Sequence, residues 1–201
     1  MGSSMSSRET LTRRTLVAGI VASACIGTSG VGQANAADTV VAFMNQIREP
    51  LLGAAISASR ASFRRVIRNY ADISGIAMYS LGSYRDGLEG SRRDAYYNGV
   101  VRYMSHYFAT MAEEYKVENG SVTGESWQEG DLHYVDSRIF LKDGGSTYNV
   151  RWELVKDDGS YKIRNVRVLG FWLAYFQRKQ FEHFIASRGG SVNALVAALN
   201  P

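Results

Sequence analysis

Tyr134 and Asp136 are the residues whose types and spacing come nearest to a catalytic pair. Two positions apart on an extended segment, they project from one face. Inside an apolar cavity, burial would raise the acid's pKa and make it a general base beside a phenol. Arg138 shares that face, so the same three residues also fit a solvated, charged surface. The histidines offer less: His106, His133 and His183 are far apart and lack metal-ligand spacing, so no metal site is expected. No serine lies in a Gly-x-Ser-x-Gly elbow. Gly144-Gly145 and Gly189-Gly190 fit turns or helix ends rather than a phosphate cradle. The expectation is a protein with no cofactor that catalyses nothing.

The ends of the chain narrow the class. Arg8, Arg13 and Arg14 precede an uncharged stretch that closes on Ala34-Asn35-Ala36, a small-x-small pattern suited to a signal peptidase. Residues 1–36 therefore read as an export signal, cleaved after Ala36, and the destination is the periplasm. Leu16–Ile26 is too short and too rich in Gly, Ala and Ser for a membrane span, which needs ~20 apolar residues. Thr12-Arg13-Arg14-Thr15-Leu16 fits a twin-arginine signal as well as ordinary secretion. Cys25, the single cysteine, ends the degenerate lipobox Ala22-Ser23-Ala24-Cys25, so lipoprotein anchoring is the alternative. Cleavage after Ala36 leaves residues 37–201 as one domain without a cysteine, hence without a disulfide or thiol nucleophile. Its net charge falls to +2, too balanced to suggest nucleic acid as a partner.

Helices, then strands, then helices indicate an α+β domain. Asp38 can cap a first helix with Val40, Val41, Met44 and Ile47 on one side, which Pro50 kinks or divides. Arg60–Tyr70 is amphipathic, and Asp72 starts another helix that ends near Gly82. The strongest periodicity runs from Ser91, a cap with Asp94 in the first turn, to Tyr115. There Tyr97, Val101, Met104, Phe108, Met111 and Tyr115 form a stripe, with Tyr96, Val100, Tyr103 and Tyr107 beside it. From Val117 the period becomes two. Leu132–Lys142, the segment through Tyr148, Val150, Trp152 and Leu154, and Tyr161–Leu169 read as strands. The apolar phase slips between Ile163 and Val166, which predicts a bulge near Arg164-Asn165. Helices from about Trp172 to Ser187 and from Ser191 to Leu199 close the chain. The economical assembly is a twisted antiparallel sheet of about four strands cradled by helices.

From Tyr70 onward the chain resembles a known family. Ile76-Ala77-Met78-Tyr79-Ser80-Leu81-Gly82-Ser83-Tyr84-Arg85 is similar to a family helix ending in Leu-Gly-x-Tyr. Val150-x-Trp152-x-Leu154 with Gly159-x-Tyr161-x-Ile163-x-Asn165-Val166 is similar to its hairpin, and Gln177-Arg178-x-x-Phe181 with Gly189-Gly190-x-Val192 to its closing helices. The family is the periplasmic phospholipid-binding component of the Mla (toluene-tolerance) lipid transport system. Two departures stand out: Gly170-Phe171-Trp172 replaces the family's Gly-Val-Ser, and Asn165 replaces an acidic residue.

The resemblance implies an NTF2-like, MlaC-like cradle with a lipid cavity between sheet and helices, acting as a monomer. It implies a phospholipid held by its acyl chains. The implied partners are an inner-membrane ABC transporter with an MCE-domain protein and an outer-membrane lipoprotein-porin complex. Ile76, Tyr97, Val101, Met104, Phe108, Met111, Val150, Trp152, Phe171 and Trp172 are the expected lipid contacts, and Arg85 the headgroup contact. The extra aromatics at Phe171-Trp172 leave a sterol- or hopanoid-like ligand open, and the Tyr134–Asp136 pair leaves a small NTF2-like enzyme open. Two long chains leaving a bilayer lose over ~20 kcal/mol of burial. A cavity near the ~1,000 Å³ upper end of ordinary pockets is expected to offset it.

Overall fold

The computed structural model describes residues 36–201. Residues 1–35 of the expected export signal and the lipobox cysteine lie outside the described residues, and the expected cleavage after Ala36 falls in the first turn of α1. Helices α1 (Ala36–Ser57), α2 (Arg60–Tyr70) and α3 (Ile73–Ser80) come first. Two short 3₁₀ turns, Gly82–Gly87 and Gly90–Arg92, lead into α4 (Arg93–Tyr115). Strands β1 (Val117–Glu129), β2 (Leu132–Leu141), β3 (Thr147–Asp157), β4 (Ser160–Val168) and β5 (Phe171–Trp172) form one sheet in chain order, every pair antiparallel. Helices α5 (Leu173–Ser187) and α6 (Val192–Ala198) finish the chain. The α+β class holds, with five strands rather than about four because Phe171-Trp172 adds a short edge.

Sequence signals explain most boundaries. Ser59 and Ser191 cap α2 and α6 by accepting the amides of Ser62 and Ala194. Asp72 caps α3 by accepting the amide of Gly75 at 2.9 Å. Three local expectations fail. α1 begins at Ala36, so Asp38 lies inside it and does not start it, and of the two outcomes expected at Pro50 the division into two helices does not occur. Ser91 lies in a 3₁₀ turn, and the residue before α4 is Arg92, whose side chain makes no capping bond. Trp172 pairs with Arg167 as strand and precedes α5 instead of belonging to it.

The bulge falls where the apolar phase slips. Glu153 pairs with Asn165 and Leu154 with Ile163, so Arg164 is the extra residue. Without it, Ile163 and Val166 would point to opposite faces; with it, both pack on the same cluster. The bulge also fastens the helices to the sheet. The Asp72 amide donates to the Ile163 carbonyl at 2.9 Å, and Arg164 forms an ion pair with Asp72 at 2.5 Å.

The core consists of three clusters. One joins α3, α4, α5 and α6 around Ala77, Leu81, Tyr96, Val100, Val101 and Ile185. The second packs Val40, Met44 and Ile47 of α1 on Val135, Leu154, Tyr161 and Ile163 of the sheet. The third holds Ala54 of α1 against Phe63, Val66, Ala109 and Ala112.

Candidate functional site

Between the sheet and the helices lies an apolar cavity of about 510 Å³. Strand alternation turns Tyr148, Val150 and Trp152 of β3 and Ser137 and Ile139 of β2 toward it. The bulge brings Val166 and Val168 of β4 to the same wall. Facing them are Met104, Tyr107, Phe108 and Met111 of α4, Phe63 and Val66 of α2, and Leu51 and Leu52 of α1. Leu169, Phe171, Phe176 and Tyr115 both line the cavity and are exposed, which marks its mouth.

The few polar groups of the wall are satisfied locally. The Trp152 indole donates to Ser137 Oγ at 2.8 Å. Gln177 donates to Ser80 Oγ at 2.8 Å, and Ser80 in turn donates to the Ile76 carbonyl. Asn165 Oδ1 accepts the amides of Val166 and Ala174, so it serves the start of α5. Tyr103 donates to Gln180. Burial pushes the phenols of Tyr103 and Tyr107 above their usual value, so they remain neutral. The wall is therefore apolar and uncharged over most of its area. Of the arginines that line it, Arg164 pairs with Asp72 and Arg48 with Glu49. Arg138, between the inward-facing Ser137 and Ile139, turns its side chain to the opposite face of the sheet with Asp136.

Ile76, Met104, Phe108, Met111, Val150, Trp152 and Phe171 are brought together around this cavity. Four other expected residues lie elsewhere. Val101 is fully buried in the helical cluster, and Tyr97 packs against that cluster. They sit in the half of α4 that α5 and α6 cover, so the stripe is core at one end and cavity wall at the other. Trp172 leans on Tyr134 with ring centroids 6.4 Å apart. Arg85 lies on a 3₁₀ turn, where its Nε donates to the Met78 carbonyl. Sequence reasoning missed the contribution of α1 and α2, although Phe63 and Val66 already stood on the apolar face of Arg60–Tyr70.

The catalytic candidates occupy different ground. Asp136 lines a polar groove of about 610 Å³ on the other face of the sheet, with Thr123, Glu125, Arg138, Arg151 and Arg167. Larger than the cavity, it is walled by charged and polar side chains and has little to offer an apolar ligand. Arg151 grips Asp136 with two hydrogen bonds, of 2.8 and 2.9 Å, and lies over the Trp127 ring. Trp127 stacks on Tyr134 at 5.3 Å. Tyr134 and Asp136 thus take part in an arginine-aromatic ladder and do not line the apolar cavity. No cluster of metal-ligating side chains occurs among the described residues, and no described helix is long and apolar enough to cross a membrane.

Comparison with known proteins places this architecture. A solved structure, that of the phospholipid-binding protein from Ralstonia solanacearum in complex with a phospholipid, shares the fold with a TM-score of 0.61 at 17% identity. The match covers 83% of this chain and 96% of that one. No curated protein matches the chain. The family described as MlaC protein matches residues 34–201. That span contains every helix and strand among the described residues, and the chain belongs to the MlaC family.

Proposed function

We propose that this chain is a periplasmic phospholipid carrier that holds its cargo by the acyl chains and catalyses nothing. In this reading it shuttles lipid between the outer- and inner-membrane components of an Mla-type ABC transport system. Its partners there are an MCE-domain protein with its transporter and an outer-membrane lipoprotein-porin complex. The observation that carries the reading is the cavity of about 510 Å³ with an apolar wall whose polar atoms are already paired. Acyl chains gain about 0.8 kcal/mol per buried methylene and ask nothing of such a wall but shape. Membership of the MlaC family supports it, as does the phospholipid bound to the Ralstonia protein.

The volume lies within the ~300–1,000 Å³ range of ligand pockets but below the two-chain size expected from the sequence. Part of the lipid therefore extends through the mouth, past Leu169, Phe171 and Phe176. Arg85 does not line this cavity, and the headgroup stays outside it at the mouth, where a phosphate keeps its water. The sterol- or hopanoid-like alternative rested on two added aromatic walls, and only Phe171 of the pair lines the cavity.

Native mass spectrometry of the purified protein, followed by organic extraction, tests the reading. One bound phospholipid per chain is the expected result. An empty protein or a sterol-like mass would overturn it.

A further inference from the structure

Four of the exposed large apolar side chains belong to one short segment. Leu169 is 52% exposed, Phe171 58%, Tyr175 50% and Phe176 44%. Monomeric proteins scatter such residues singly, and a cluster of this kind marks a contact surface. The segment is also held in shape. Leu169 takes a left-handed conformation, φ 53°, followed by Gly170 at φ 85°. A non-glycine residue there is uncommon and mildly strained. The Arg167 Nε donates to the Gly170 carbonyl at 3.0 Å and closes the turn. Phe171 meets Phe176 edge-on at 5.5 Å, and Phe176 meets Tyr175 at 6.4 Å. The result is a braced wedge.

Charge identifies what the wedge meets. From Lys162 to Phe181 the chain carries five basic residues and no acidic one. Arg164 pairs with Asp72, and Arg178 and Lys179 share Glu182, which leaves the segment net positive; Arg167, near the end of β4, braces the turn, and Lys179 stands 5.5 Å from the Tyr175 ring. Exposed aromatic side chains on a net-positive segment suit the interface of an anionic bilayer, where rings sit at headgroup level and cations meet phosphates. Leu169, Phe171 and Phe176 are also lining residues of the cavity mouth.

We propose that the β4–β5 turn and the first turns of α5 form a membrane-docking wedge that sets the cavity mouth against an anionic lipid surface. This rests on the carrier reading for its purpose, and it names the surface at which the mouth opens.

Vesicle flotation of the processed chain, residues 37–201, tests it, using vesicles of phosphatidylethanolamine with phosphatidylglycerol and vesicles of phosphatidylcholine alone. The chain is expected to float with the anionic vesicles, to leave them in high salt, and to stay behind with phosphatidylcholine. A double variant, Tyr175→Ser with Lys179→Glu, changes two exposed residues that do not line the cavity. It should lower the vesicle-bound fraction by about tenfold, since one partly inserted ring and one cation each contribute on the order of one factor of a few. Failure of the wild type to float, equal binding to both vesicle types, or a double variant that floats undiminished would overturn the proposal. Native mass spectrometry separates the two readings. A chain that carries lipid yet never floats loses the wedge alone, whereas one that floats but is always empty loses the cargo.

Discussion

Met111 and Phe108 stand one turn apart on α4 and both face the cavity, yet they are not equivalent. Phe108 stacks on Phe63 at 5.8 Å and packs against two core clusters, so a charge there disturbs the fold as well as the pocket. Met111 lines the cavity and belongs to no cluster. Met111→Asp should therefore cut co-purifying lipid by about tenfold or more, as an unpaired carboxylate faces apolar cargo, while circular dichroism shows a melting point within a few degrees of the wild type. Unchanged lipid content would mean that the cargo does not reach this wall. Glu153 gives a second test at this scale. Burial pushes its carboxyl above the ordinary value of 4.5, against the opposing pull of Arg164 and of the Tyr134 hydroxyl. Because the folded protein favours the neutral acid, Glu153 costs nothing well below that ordinary value. Its penalty grows as pH rises through the raised value. Glu153→Gln should thus stabilise the protein at neutral pH and lose that advantage in acid, as read from urea midpoints across pH. At this scale the sequence was only partly informative. Periodicity alone gave Met104, Phe108 and Met111 the same standing as Val101, because a helix stripe carries no mark of where a neighbouring helix ends.

The elements themselves were far more legible. Arg60–Tyr70 matches α2 residue for residue, because Ser59 caps it and its apolar face has helical spacing. The bulge was readable because alternation in β4 breaks at a single position, Arg164. The failures are at ends where a weaker local rule yielded to packing, as where Trp172 joins the sheet edge rather than α5. The bulge and the α3 cap are one device. Asp72 accepts from the Gly75 amide and from Ser74, and pairs with Arg164. Asp72→Ala should lower stability by about 1–3 kcal/mol, since it removes a cap and strands a half-buried guanidinium together. A urea melt showing a loss below the range of a cap alone would mean that Arg164 contributes nothing through this contact.

For the whole molecule, composition and element order sufficed for the fold class, and the family motifs for the cradle. The cavity's volume was not legible, since it depends on how far the helical layer stands off the sheet. That distance is set by contacts between residues remote in sequence, such as Ile163 with Asp72. The feature that bears most on the proposed loading is α1. Its first half, with Val40, Met44 and Ile47, is packed into the sheet, and Ala54 in its second half into α2 and α4. Pro50 lies between them and supplies no amide hydrogen to the turn before it. The rod therefore has its softest joint at the border of two separately packed blocks. Were the cavity to take a second acyl chain, bending at this joint would widen it while leaving most of both clusters packed.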